Sequence, residues 1–511
     1  MKKGMGDMAD AASNDLIELK RRMREVTDLG MSSGVLLWDQ MVMMPEKGSG
    51  ARGRALETLA GIAHDRFIDD EVGRLVDRLS GHEASLPREH PDAALIRKVR
   101  VDWEKKRRVP TALAAELESF ESKHVGVWLA AREANDYAIF QPSLERAVDL
   151  NLRLIDCYEA SGPAYDVLLD RNDMGLTTEE ISTLFTTVRD GLKPLIQRVT
   201  ENADAVSDEA MRQRYPVVKQ RELALELVEG LGFEGDSWRL DETVHPFEIN
   251  FSITDVRLTT KYVEEDLSVA IGGAVHEFGH GIYERQCDPA LEGLPIAGGA
   301  SLALHESQSR TWEILVGSSR AYWRWAHPIY ARHFPKQAAR FDEETIYWAV
   351  NKMRPSLIRT ESDQLTYGMH VILRFEIEQA LIAGTLRPAD VREAWNAKMR
   401  EYLGVEVPDD MRGVLQDIHW SGGQLGGFPA YLIGNVIGSH AWTMVERDLP
   451  NLDSQIERGD FAGLRAWQAE HLHAMGSTYG PRETIERFLG GPIDPAPYLA
   501  HLGAKVEELY G

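Results

Sequence analysis

Two cysteines, Cys157 and Cys287, are all that the 511 residues contain. That is too few for the disulfide framework of a secreted domain, and each thiol reads by default as a buried structural side chain. Long apolar runs are missing as well. No stretch approaches the roughly 18 apolar residues of a membrane-spanning helix. The start, Met1-Lys2-Lys3-Gly4-Met5-Gly6-Asp7, lacks the apolar centre of a secretory signal. Positive charge is also scarce: 57 Lys and Arg against 81 Asp and Glu leave a formal charge of −24. Phosphate recognition needs clustered basic side chains, so a nucleic-acid partner is not expected. The acidity reads as a solvated surface. Low-complexity tracts, long charge runs, internal repeats and clear linkers are lacking too. The expectation is a cytoplasmic chain with neither a membrane nor a nucleic-acid partner, forming a single unit over residues 8–511.

What is present is mostly helical pattern. A hydrophobic content of 43% with 27% charged residues suits a soluble protein with an ample core. Apolar residues recur at helical spacing over Asp15–Thr27, Arg52–Arg66, Asp70–Leu79, Leu95–Arg107 and Thr111–Asn135. The pattern continues over Phe140–Ala160 and Thr178–Glu201, the latter opened by a Thr177/Glu180 capping signature. Further on come Trp312–Tyr330, Glu343–Lys352, Tyr367–Gly384, Ala389–Leu403, Phe461–His473 and Pro497–Leu509. Val244–Thr254, followed by Asp255–Thr260, instead alternates apolar and polar residues and predicts a small β-hairpin or edge strand. Such an edge could hold a peptide or merely brace its neighbour. The fold class is therefore mainly α: a large helical unit, two-lobed with a cleft, and a small β-hairpin beside its central helix.

That central helix spans Val269–Glu284 and carries His276-Glu277-Phe278-Gly279-His280. Four residues is about 40° of rotation and one turn of rise, so both imidazoles leave the same face. Two neutral imidazoles so placed can bind one zinc ion, with Glu277 beside them as general base for a water. A pair of structural histidines would show the same spacing, so a third ligand decides. Glu306, in His305-Glu306-Ser307-Gln308, opens a second helical pattern through Val316, beyond a loop-rich turn ending at Gly298-Gly299. His276, His280 and Glu306 make the His₂Glu set of a catalytic zinc site, the fourth position being left for water. Gly272, Gly273, Gly279 and Gly281 are costly inside a helix, which points to close backbone packing or room for a ligand.

Along its length the chain resembles the carboxypeptidase Taq family of metallocarboxypeptidases. The resemblance rests on Leu37-Trp38-Asp39 with Met44-Pro45 and Arg52, His245-Pro246-Phe247, and Asp255-x-Arg257-x-Thr259. The two metal motifs, Ile358-Arg359-Thr360-Glu361 with Leu365-Thr366-Tyr367, and Gly413-x-x-Gln416-Asp417-x-His419-Trp420 complete it in order. It implies a saddle-shaped helical fold with a deep groove, usually a homodimer. The implied activity is release of single residues from peptide C-termini with broad specificity, using zinc, for which cobalt can substitute.

Within that resemblance Arg359 is the first candidate for gripping the substrate carboxylate, because a guanidinium forks onto it bidentately. Arg257 is the second, with a scaffold role as its alternative. His245 and His419 fall near the groove, where each donates to substrate, orients a ligand or fills a polar core site. Asp417 reads as an acceptor for a histidine N–H. The family often shows Gly-Tyr-Phe-Pro-x-Tyr after the His-Trp motif; here Gly427 takes the first tyrosine position while Tyr431 remains, so that either Tyr431 supplies the oxyanion donor, another group does, or turnover is weak. Gln364 stands where glutamate is common. Two other readings are a related helical zinc oligopeptidase or dipeptidyl-carboxypeptidase, and a catalytically weak peptide-binding scaffold.

Overall fold

The computed structural model describes residues 2–159 and 162–511. Helices dominate it, and most follow the apolar spacing. The Thr178–Glu201 helix has the expected bounds, and its capping box is formed: Thr177 Oγ1 accepts from the Glu180 amide and Glu180 Oε2 from the Thr177 amide. The expected Asp15–Thr27 helix is the middle of a much longer one, Lys2–Val42 (α1). The expected Phe140–Ala160 helix is observed as Tyr137–Ile155, and Ala160 itself lies outside the described residues. No helix among the described residues is long and apolar enough to cross a membrane.

The alternating segment forms the expected hairpin, and a third strand joins it. Trp238–Glu242 (β1), Glu248–Ser252 (β2) and Asp255–Thr260 (β3) pair in the order β1-β3-β2. β2 runs antiparallel to β3, with Ile249 opposite Arg257, and β1 runs parallel to β3, with Trp238 opposite Val256. Alternation sends Val256 and Leu258 inward, both fully buried. They meet the helix Leu267–Arg285 (α2), where a Cβ on Gly281 would stand 2.9 Å from Val256.

α2 starts at Asp266, whose side chain accepts from the Ser268 amide at 3.1 Å. Its partner is Leu302–Arg310 (α3), capped by Ser301 and by Asp173, which accepts from the Ala303 amide at 3.0 Å. The helical pattern expected to run on to Val316 does so as a π-helical turn over Thr311–Val316, closed by Gly317 N to Trp312 O at 2.8 Å. The expected Trp312–Tyr330 helix is thereby split, and a new helix starts at Arg320.

Two glycines let these elements touch. A Cβ on Gly279, between the two histidines, would stand 2.5 Å from Ser309 Cα. A Cβ on Gly434 would stand 2.7 Å from Glu306 Cβ. Gly434 belongs to Phe428–Asp448 (α5), a long buried helix that the sequence pattern did not reveal. Its glycines and the β-branched Ile433, Val436 and Ile437 are poor helix formers, and contact with α3 outweighs that preference. Tyr367–Ile382 (α4) lies alongside, almost wholly buried. One extensive core runs through all of these helices, including Phe278, Trp312, Phe375 and Ile433. A second cluster, with Leu19, Met23, Leu95 and Ile253, lies under α1.

Candidate active site

His276 and His280 emerge from one face of α2, their ring centroids 5.0 Å apart. Glu306 of α3 faces both: its Oε2 lies 3.9 Å from His276 Nε2 and 3.7 Å from His280 Nε2. The three ligand atoms all fall within 4.8 Å of one another, and this is the only such group among the described residues. Two imidazole nitrogens and a carboxylate converging from two helices form a donor set suited to a divalent transition metal.

Each ligand is held by further side chains. Arg310, one turn after Glu306, donates from Nε to Glu306 Oε1 at 2.7 Å and from Nη1 to Glu313 Oε2 at 3.0 Å. That same Glu313 oxygen is 2.8 Å from His276 Nδ1. Glu313 lies in the π-helical turn, three residues after Arg310 and seven after Glu306. His280 Nδ1 lies 3.3 Å from His305 Nδ1, and His305 Nε2 lies 2.6 Å from Glu284 Oε1.

Charge is concentrated here under low solvent access. Burial opposes charge on Glu313, yet Arg310 and His276 pull its carboxyl down to about 2. Burial likewise opposes charge on His276, but Glu313 and Glu306 draw it up to about 9, so proton and metal compete for this ring. Burial, reinforced by His276, pushes His280 well below the ordinary histidine range. Glu277 is 5% exposed, and burial lifts it to about 7, with His276 pulling the other way. A carboxylate titrating near neutrality is matched to general acid–base work.

A second group adjoins the first. Arg310 stacks on the Tyr367 ring at 4.3 Å, and the Tyr367 hydroxyl accepts from Arg359 Nη1 at 3.3 Å. Arg359 is 6% exposed and lies over the rings of Tyr431 and Phe428, at 5.2 and 5.5 Å. Its Nε and Nη2 both meet Asp417 Oδ1 at 3.0 Å, while Arg374 Nε meets Asp417 Oδ2 at 2.6 Å. Asp417 thus accepts from two guanidiniums and not from the histidine N–H expected of it. His419 Nε2 lies 3.2 Å from the Tyr431 hydroxyl. Burial lowers His419 to about 4, so it is neutral at physiological pH. Burial raises Tyr431, which keeps its phenol protonated and able to donate. His245 is exposed and close enough for its charge to bear on His419.

Arg257 is not brought to this cluster. The alternation that buries Val256 and Leu258 against α2 turns Arg257 to the opposite face. There it pairs with Asp255 at 2.9 Å and packs over the rings of Trp38 and Phe251, at 4.5 and 4.7 Å. It clamps α1 to the sheet, the scaffold role foreseen as its alternative. Gln364 is also away from the metal ligands, donating to Asn351 at 2.9 Å. Gly427 faces open space, with only Asn172 Nδ2 at 4.0 Å from a Cβ there.

Sequence reasoning passed over Arg310, Glu313, Glu284 and Tyr367. One signal was available: Arg310 is four residues after Glu306, and Glu313 three after Arg310, spacings that share a helix face. Nothing local announces that Glu284 and His305 meet.

Known proteins resemble this one over their whole length. Thermostable carboxypeptidase 1 of Thermus thermophilus is 36% identical over 98% of this chain and 99% of its own. The protein of the same name from Pyrococcus furiosus is 31% identical over 98% and 100%. The crystal structure of an M32 carboxypeptidase from Deinococcus radiodurans superposes with a TM-score of 0.94 at 36% identity, covering 98% of this chain and 100% of that one. The model of the carboxypeptidase Taq (M32) metallopeptidases matches residues 18–506, and the chain belongs to that family of metallocarboxypeptidases.

Proposed function

We propose that the protein is a zinc carboxypeptidase of broad specificity, releasing single residues from peptide C-termini, with Glu277 as its general base. The observation that carries this reading is the convergence of His276, His280 and Glu306 with a buried carboxyl beside them. Tetrahedral ligands at zinc–ligand distances of 2.0–2.1 Å stand about 3.3 Å apart. The observed separations of 3.7 and 3.9 Å reach that by shifts of a few tenths of an ångström on the order allowed by side-chain rotation. His276, His280 and Glu306 would hold the ion, and cobalt could replace zinc on the same donors.

The ion when bound supplies Lewis acidity for the scissile carbonyl and brings a water's pKa close to neutrality. Glu277 accepts the proton of the attacking water and passes it to the departing amine. Tyr431, protonated and braced by His419, would donate to the oxygen on which negative charge develops. Arg359 is the group for the terminal carboxylate. Of the five N–H donors of a guanidinium, Asp417 takes two and Tyr367 one, which leaves one on each terminal nitrogen. Phe428 and Tyr431 hold the guanidinium plane, and Asp417 prevents it from swinging. His245, at the exposed edge, is suited to contact more distant parts of a peptide. We further propose a cytoplasmic homodimer acting on peptides in one continuous groove, with residues 8–511 as its single catalytic domain.

The test is a matched pair of peptides, one with a free and one with an amidated C-terminus, given to zinc-loaded protein. Carboxypeptidase action should fall at least about 100-fold on the amide, since roughly 3 kcal/mol of charge-assisted bonding is lost. Arg359→Lys should narrow that gap by raising KM on the free acid alone. Equal cleavage of both peptides would favour an oligopeptidase.

A further inference from the structure

We propose that His305 and Glu284 form a positioning relay that fixes the tautomer and ring angle of His280, and so sets how tightly the centre holds its metal. This rests on the assignment of His276, His280 and Glu306 as ligands.

The proton count allows one arrangement. His280 directs Nε2 toward Glu306 and the ligand set, so that nitrogen must carry a lone pair when it binds a cation. A neutral imidazole then has its proton on Nδ1, whose neighbour is His305 Nδ1 at 3.3 Å. His305 must accept there, which places its own proton on Nε2, 2.6 Å from Glu284 Oε1. Glu284, a buried carboxylate, accepts it. Two imidazoles in series thus link a carboxylate to a metal ligand, where one histidine hydrogen bond would ordinarily suffice.

The far end is anchored from three elements. Glu284 belongs to α2, and its Oε2 accepts from Asn250 Nδ2 of β2 at 3.0 Å. Its Oε1 also accepts from the Gly299 amide at 2.8 Å. The loop is shaped around this pair: a Cβ at Gly299 would stand 2.3 Å from His305 Nε2, and one at Gly298 2.7 Å from Glu284 Oε2. Gly298-Gly299 is therefore the passage that lets His305 reach the carboxylate. Of the two imidazole ligands, His276 is served directly by Glu313 and His280 only through this relay.

The experiment measures zinc affinity by competition with a chromogenic chelator, together with the visible spectrum of the cobalt-loaded protein, for parent, His305→Gln, Glu284→Gln and the double variant. Thermal unfolding of each metal-free protein reports folding separately. A relay predicts that either single change weakens zinc binding about 10- to 100-fold and alters the cobalt bands. The double variant should be no weaker than the weaker single, because both changes break one chain. Folded variants that bind zinc within threefold of the parent would overturn the proposal, as would two losses that multiply. Should a variant fail to fold, Gly299→Ala presses on the His305 ring, its methyl 2.3 Å from Nε2 and 2.4 Å from Cδ2, and on Tyr283 Cε1 at 2.9 Å, and is judged by the same affinity criterion. A parent that takes up neither zinc nor cobalt would overturn the ligand assignment itself, and the relay with it.

Discussion

Glu277 follows His276, a proposed metal ligand, and is buried. Burial holds its carboxyl near neutrality, and a divalent cation alongside would draw it down again, so the group can take a proton and return it. Glu277→Gln keeps the shape and removes the proposed base. The expected outcome is a fall in kcat of about 10²–10⁴-fold with zinc stoichiometry unchanged. Metal analysis alongside steady-state kinetics checks it, and a parallel loss of metal and turnover would mean that Glu277 acts structurally. Arg359 shows how a residue's neighbours decide its role. Asp417 and two aromatic rings hold its guanidinium in one orientation, which the proposed carboxylate role requires. Arg257, an equally plausible arginine by type, is spent on Trp38 and Asp255.

At the scale of elements, the centre exists because α2, α3 and α5 approach more closely than side chains would permit. Gly279 and Gly434 are the points of approach. Gly279→Ala would place a methyl 2.6 Å from Gln308 O, against backbone that cannot rotate away. We expect it to cost about 1–3 kcal/mol and to weaken zinc binding by parting the helices. Gly272, in the same helix, has nothing within 4 Å of a Cβ. Gly272→Ala should therefore stabilise by about 0.5–1 kcal/mol through helix propensity alone. Urea unfolding of the two variants gives the comparison, and equal effects would refute the packing account.

For the molecule as a whole, the proposed ion would tie α2 to α3 through His276, His280 and Glu306. Zinc at a hundredfold excess over its Kd should add about 2.7 kcal/mol to stability. Chelator treatment should therefore lower the unfolding midpoint, and zinc, but not magnesium, should restore it. An unchanged midpoint on calorimetry would contradict a tightly held ion. The acid side of the stability profile also draws on histidines elsewhere in the core. Burial depresses His473 to about 3 and His501 to about 4, both below the unfolded value of 6.5. The unfolded chain thus binds more protons between pH 6.5 and these values, and stability present above pH 6.5 is lost as pH falls through that window. Each group contributes a few kcal/mol at most, at about 1.4 kcal/mol per pH unit. His473→Gln should flatten the decline in unfolding free energy between pH 6.5 and 4.5; an unaltered slope would assign it to other groups.

The residues by themselves pointed to the candidate donor group, because two histidines one helical turn apart and a glutamate opening the next helix can converge on one ion. They determined the helical class as well, since a 3.6-residue period persists through most of the chain. Tertiary structure decided the rest. α5 became a helix against its own propensities because its glycines meet Glu306 and Ser307. β1 joined the sheet by pairing with a strand that follows it, a contact no local pattern encodes. Asp417 took arginines in place of a histidine, and Glu284 found His305 across the loop. Local periodicity registers which way a side chain points along its own element; which group it meets depends on where distant elements cross, and in this protein a few glycines set those crossings.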